Sequence, residues 1–130
     1  MVTKGQLVYV EHKTGQDDSG RAWIGRANVS KSGRTVYFNG QAFKSLGGQG
    51  SAGNHYCLET GDEYWISGVK QNGEDRHWAG HGPVMIDARV VEEYLALRDL
   101  DQLDERAFKV VSDIEDTDGS EFHEIENEPL

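Results

Sequence analysis

The sequence lacks cysteine pairs, a leader segment and long apolar runs, and each absence excludes a class of protein. It holds a single cysteine, Cys57, among 130 residues, which excludes an internal disulfide framework. It also has no charged leader before an apolar segment, and no apolar run near the roughly 18–20 residues that a membrane helix needs. We therefore expect a protein of the reducing cytoplasm that does not interact with a membrane.

Basic residues are scarce in one part of the chain. Residues 1–98 hold 11 acids and 11 bases, whereas residues 99–130 hold 12 acids and only Arg106 and Lys109, so the net charge of -10 lies in the last quarter. A neutral body offers phosphates no net attraction, which argues against binding of duplex nucleic acid. We expect 101–130 to form an acidic, largely disordered tail, because its composition buries too little apolar surface to offset ordering.

Short alternating segments rich in β-branched and aromatic residues fill most of the chain before residue 88 and predict β-strands. The predicted strands cover 6–13, 21–30, 35–39, 41–46, 55–60, 63–70, 74–80 and 81–87. Asn39-Gly40 and Asn72-Gly73 are residue pairs typical of tight hairpin turns. Segment 41–46 has few residues to bury, so we expect it at a sheet edge. In the second strand, Trp23, Gly25, Ala27 and Val29 share the face predicted to be the core side.

One helix is predicted after the strands. Asp87 is a good N-cap for a helix over 88–98. Its apolar stripe is predicted to contain Val90, Val91, Tyr94, Leu95 and Leu97. A second short helix over 103–111 stays an open alternative. These elements predict one domain over 1–100, a mainly β, small antiparallel SH3-like barrel capped by the helix, with an oligonucleotide-binding-type barrel as the alternative.

Histidine spacing gives little support for a metal site. His77 and His81 are four residues apart, but such a pair holds a metal on a helix, and Gly80 and Gly82 disfavour one there. We therefore predict no metal, no cofactor and no catalytic residue. The alternative is a small enzyme that uses His77, His81 or Cys57.

Other reactive residues also have simpler explanations. Cys57, His55 and Asp75 lie on neighbouring predicted strands, yet no Cys-x-x-Cys pair supports a metal, and a lone strand cysteine is typically a small buried side chain. The carboxylate pairs at 62–63 and 74–75 fall at predicted turns, where such residues are selected for backbone hydrogen bonds and solubility.

Aromatic residues indicate a binding surface. By strand alternation Trp65 points away from the core face, and Trp78 and Arg76 lie on the next predicted strand. Two tryptophans beside an arginine are typical of peptide-binding grooves, although a helix covering this face would turn the tryptophans into a second small core. We thus predict a non-enzymatic protein- or peptide-interaction module. The alternative is an acidic regulator whose tail binds a basic partner or mimics nucleic acid.

One pattern of aromatic and turn residues extends through the predicted domain. It comprises VYFNG at 36–40, Tyr56, LETGDEYWISG at 58–68, Lys70, Asn72-Gly73, Asp75-Arg76 and Ile86-Asp87. Over residues 6–98 the pattern resembles a family of small uncharacterised bacterial proteins, many of which carry the name deoxyxylulose-phosphate synthase. That enzyme binds thiamine diphosphate through a Gly-Asp-Gly motif, whereas here Glu63 follows Gly61-Asp62, and the chain is too short for two packed α/β domains. The resemblance implies a recurring fold and no activity.

Overall fold

The structure, a computed structural model, describes residues 5–13, 21–48, 53–70 and 82–122. Within them the strands are β1 (Gln6–Lys13), β2 (Ala22–Val29), β3 (Thr35–Phe38), β4 (Gln41–Ser45), β5 (His55–Cys57), β6 (Glu63–Gly68), β7 (Val84–Asp87) and β8 (Phe108–Val111). A 3₁₀ helix, Ala88–Val90, leads into α1 (Val91–Arg98), and a second 3₁₀ helix covers Gly119–Phe122. The predicted strand at 74–80 and the Asn72-Gly73 turn lie outside the described residues.

Six of the strands close into an antiparallel barrel. β1 pairs with both β2 and β6, and the ring continues from β6 through β5, β4 and β3 back to β2. At its centre Val10 pairs with Trp23 on one side and with Ile66 on the other. β7 and β8 extend the sheet from β2 in parallel orientation. The predicted mainly β, small antiparallel barrel is confirmed and is consistent with the SH3-like type.

The local sequence predicts the hairpin turn between β3 and β4, but it does not predict the burial of β4. Asn39 and Gly40 have φ angles of 50° and 77°, the left-handed pair that the tight turn requires. β4 lies between β3 and β5, and Ala42 and Phe43 are buried. The prediction of an edge strand at 41–46 is therefore wrong, because barrel closure supplies β4 with a neighbour on each side.

The sheet is buried on both faces. The interior cluster inside the barrel consists of Val8, Val10, Ala27, Val36, Phe38, Phe43, Cys57, Tyr64, Ile66 and Ile114. The outer cluster beneath α1 consists of Leu7, Tyr9, Ala22, Ile24, Val84, Ile86, Val90 and Tyr94. The predicted core side of β2 is confirmed by Ala27 and by Trp23 and Val29, which pack against the interior cluster. Ala22 and Ile24 are buried too, because α1 covers the opposite face.

The predicted helix over 88–98 is present, with a 3₁₀ first turn. The Asp87 carboxylate accepts a hydrogen bond from the Arg89 backbone N–H at 2.9 Å, as an N-cap does. Val90 and Tyr94 are buried, but Leu97 is 36% exposed, so the predicted stripe is too long by one residue. No helix in the described ranges has the length and apolar character needed to cross a membrane.

Residues 112–122, here called the acidic strap, run against the barrel. Ile114 enters the interior cluster, and the Phe122 ring stacks on Tyr37 with 5.8 Å between centroids. The Thr117 hydroxyl accepts a hydrogen bond from the Gly40 N–H at 2.6 Å. The prediction of a disordered tail from residue 101 is wrong for this part, since a few well-spaced apolar residues dock although the average composition is polar. Residues 108–111 form a strand, not the alternative second helix.

Candidate functional site

A cavity of about 410 Å³ opens at one end of the barrel. We call it the barrel mouth, and it is lined by Gly33, Val36, Ser45, Asn54, His55, Ile66, Ser67 and Gly68. Val36 and Ile66 are almost fully buried members of the interior cluster, so the surface that the mouth exposes comes mainly from its glycine, serine, asparagine and histidine residues. Its volume is at the lower end of the range for small-molecule pockets.

The side-chain amide of Asn54 contacts both the Ile66 backbone and the His55 ring. Its Oδ1 accepts the Ile66 N–H at 2.8 Å, and its Nδ2 donates to the Ile66 carbonyl at 2.8 Å, so the amide has one orientation. The Nδ1 atom of His55 lies 2.9 Å from the same Oδ1. Because an amide oxygen only accepts, Nδ1 carries the hydrogen of the neutral ring. The Nε2 atom of His55 therefore holds the lone pair and is an acceptor.

Burial keeps His55 uncharged. Desolvation lowers its pKa from 6.5 to about 4, since a charged ring is disfavoured where water is excluded. At neutral pH the mouth consequently contains a neutral imidazole. Sequence reasoning considered His55 only as a metal ligand beside Cys57 and Asp75. The neighbouring Asn54 could have suggested a hydrogen bond to the His55 ring. The contact of Asn54 with Ile66 could not be predicted, because Ile66 lies on another strand.

A surface polar contact and the buried Cys57 both lie near Tyr64, a member of the interior cluster. Nε2 of His12 lies 3.0 Å from a carboxylate oxygen of Asp62, and the His12 ring stacks on Tyr64 with 4.7 Å between centroids. Burial, together with the charges of Cys57 and Asp62, raises the pKa of Tyr64 to about 12. Cys57 is fully buried, and its Sγ is 3.8 Å from the Gln41 amide nitrogen. A substrate cannot reach this thiol without opening the barrel, which weighs against the predicted alternative of a Cys57 nucleophile.

A buried ion pair lies on the outer face of β1. Nζ of Lys13 is 2.6 Å from Oε2 of Glu11, and both side chains are fully buried. The Tyr9 hydroxyl donates a hydrogen bond to the other Glu11 oxygen. The opposite charges stabilise each other where water is excluded. Trp65 pairs with Glu11 across the sheet.

The predicted tryptophan groove is only partly described. Trp65 is half-buried and packs against the outer cluster, as in the alternative in which the tryptophan belongs to a second core. Arg76 and Trp78, its predicted partners in the groove, lie outside the described residues, as do His77 and His81. The groove therefore stays a prediction.

The outer edge of β8 is the second candidate surface. β8 pairs with β7 on one side, and in the part of the chain that the structure describes no strand pairs with its other side. Val110, in the middle of this edge strand, is 52% exposed. Exposed acids flank the strand, with Asp104 and Glu105 before it and Asp113 after it. An open edge presents backbone N–H and C=O groups that another chain can pair with.

No metal-binding cluster among the described residues and no similar protein indicates a reaction at these sites. Among the described residues, no three His, Cys, Asp or Glu side chains are placed to hold a metal ion. Comparisons with models of known protein families, with curated proteins and with solved structures give no match.

Proposed function

We propose that this protein is a non-enzymatic interaction module that binds an extended, basic segment of a partner protein along the open edge of β8. The observation that carries the proposal is that, among the described strands, β8 pairs on one side alone, with Val110 half-exposed at its centre. Strand addition of this kind obtains affinity from backbone hydrogen bonds and specificity from alternate side chains.

Charge gives the preference for a basic segment. Residues 99–122, which contain β8 and the acidic strap, hold nine acids and two bases, Arg106 and Lys109, so their net charge is 2 - 9 = -7. Such a surface attracts basic segments and repels acidic ones, and the attraction weakens as salt rises. The proposal therefore combines the interaction module and the acidic regulator that the sequence predicts as alternatives.

Short synthetic peptides of opposite charge test the proposal. We expect a peptide of alternating Lys and Val to bind the full chain about tenfold more tightly than the alternating Glu and Val peptide, because each exposed ion pair contributes about 0.2–1 kcal/mol. Binding is measured by fluorescence anisotropy at low salt and at 0.5 M NaCl. Amide hydrogen exchange before and after addition then shows whether residues 108–111 become protected.

Matched variants locate the surface. Val110→Lys places a positive charge in the middle of the edge strand and should weaken binding of the basic peptide, whereas Leu97→Lys adds the same charge at an exposed residue of α1 and should not. A Trp65→Phe variant tests the predicted groove in the same titration. Equal affinity for the two peptides, or protection that appears away from residues 108–111, would contradict the proposal.

A further inference from the structure

β8 is a short edge strand whose far end leads into the acidic strap. Among the described strands it pairs only with β7, in a register that begins at Val84 with Phe108 and ends at Asp87 with Val111. Short edge strands with few pairing contacts open more readily than central strands. After Val111 the pairing with β7 ends, and the chain continues directly into the strap. The position of β8 therefore depends on what holds the beginning of the strap.

Arg89 joins the end of β7 to the beginning of the strap. Its guanidinium donates to both carboxylate oxygens of Asp87, at 3.1 Å and 2.8 Å, and Asp87 is the register partner of Val111. The same guanidinium donates to the Ile114 carbonyl at 3.1 Å and to the Asp116 carboxylate at 3.0 Å. We call Asp87, Arg89, Ile114 and Asp116 the Arg89 clamp. Asp87 is buried, whereas the side chains of Arg89 and Asp116 are 56% and 81% exposed, so the clamp is anchored on the barrel side and accessible on the strap side.

Strap docking supplies the clamp with its second half. Beyond Asp116, Thr117 accepts a hydrogen bond from the Gly40 N–H through its hydroxyl, and its carbonyl accepts one from the Asn28 amide at 2.7 Å. If these contacts open, Ile114 and Asp116 move away from Arg89 and the end of β8 loses its tether. A partner would then have to order β8 before pairing with it, and the entropy of ordering weakens binding.

We infer that docking of the acidic strap regulates the β8 edge through the Arg89 clamp. With the strap docked, β8 is held in register with β7 and its free edge is ready to pair. With the strap released, β8 frays and the edge binds more weakly. The inference rests on the proposed function, because the regulated surface is the edge that the proposed partner would use. Coupling is reciprocal, so a partner on the edge must also strengthen strap docking.

Two charge reversals separate the clamp from the overall charge of the strap. Asp116→Lys and Asp113→Lys each replace one exposed acid by a base, so both reduce the attraction for a basic peptide. Asp116 bonds to Arg89, whereas Asp113 is the matched control nearer to β8. Replacing Arg89 would also take the guanidinium from the buried Asp87, so the substitutions are made on the strap side. In the free, full chain we expect the amides of 108–111 to exchange about three- to fivefold faster in Asp116→Lys than in Asp113→Lys, the effect of one exposed ion pair.

The peptide of alternating Lys and Val measures the consequence for binding at low salt. Asp116→Lys should bind it about three- to fivefold more weakly than Asp113→Lys. Thr117→Val, which weakens strap docking without a change of charge, should also speed exchange at 108–111 and weaken binding.

The outcomes distinguish the regulation from the binding itself. Equal exchange rates at 108–111 in the two charge variants overturn the inference, as do equal affinities for the peptide. In both cases the proposed function stands if the wild-type chain prefers the Lys and Val peptide to the Glu and Val peptide. If the wild-type chain shows no such preference, the proposed function and the inference both fail.

Discussion

Acidification should destabilise the fold through His55. The half-buried imidazole has a pKa of about 4 in the folded chain and 6.5 when unfolded. Between these two values the unfolded chain binds the extra proton, so the free energy of unfolding must fall as pH falls. Near pH 8 almost no molecules are protonated in either state, and this contribution is constant.

The size of the effect follows from the two pKa values. At pH 5 the unfolded histidine is almost fully protonated, whereas only about a tenth of the folded molecules carry the proton. The free energy of unfolding should therefore fall by about 2 kcal/mol between pH 8 and pH 5 because of this residue alone. That is a large fraction of the stability of a small domain.

Urea denaturation of the wild-type chain and of His55→Gln, each at pH 8 and pH 5, isolates this contribution. The many carboxylates titrate in both proteins, so they cancel when the two stability changes are subtracted. We expect the wild-type chain to lose about 2 kcal/mol more than the variant over this range. A difference below about 0.5 kcal/mol, within the extrapolation error, would refute the reasoning, as would an NMR titration midpoint of His55 near 6.5.

Three further substitutions test the polar contacts that hold the barrel together. Glu11→Gln should cost about 3–5 kcal/mol in a urea melt, because it removes the carboxylate charge 2.6 Å from the buried Lys13 ammonium, and a double replacement of both residues by Met should recover much of that loss. Asn54→Ala should cost about 1–3 kcal/mol, since it removes both hydrogen bonds to the Ile66 backbone; a loss below about 0.5 kcal/mol in thermal unfolding would contradict this. Thr117→Val should cost about 1–3 kcal/mol and speed proteolysis of the acidic strap, and an unchanged cleavage rate would count against the strap contacts.

The features that could be predicted from the sequence are those set by neighbours along the chain. The β-branched and aromatic residues of 6–13 and the alternation of 21–30 are properties of each segment alone, and both predicted strands are present, as Gln6–Lys13 and Ala22–Val29. Asn39-Gly40 specifies its turn because both residues tolerate positive φ. The Asp87 carboxylate caps the helix by accepting the backbone N–H of Arg89, two residues later. Each of these signals depends on adjacent residues and not on contacts made elsewhere in the fold.

The features that were missed depend on residues far apart in sequence. Ile114 is one apolar residue among acids, and its burial requires an interior cluster that other strands build. Gly119 shows the same dependence, because a Cβ there would lie 2.9 Å from the Tyr37 hydroxyl, a contact that composition cannot reveal. The barrel mouth likewise arises only when Asn54 meets Ile66. The candidate site was therefore less predictable than the strands.

The order of synthesis makes the acidic strap the last of the described segments to join the barrel. Thr117 bonds to Gly40, 77 positions earlier, so the β3–β4 hairpin emerges from the ribosome long before its cover does. Until then Tyr37 lacks the Phe122 ring, and the interior cluster lacks Ile114. A nascent barrel in that state shows apolar surface of the kind that chaperones bind and that promotes aggregation. Translation that stops before residue 114 would leave the interior cluster without Ile114 and Tyr37 without the Phe122 ring.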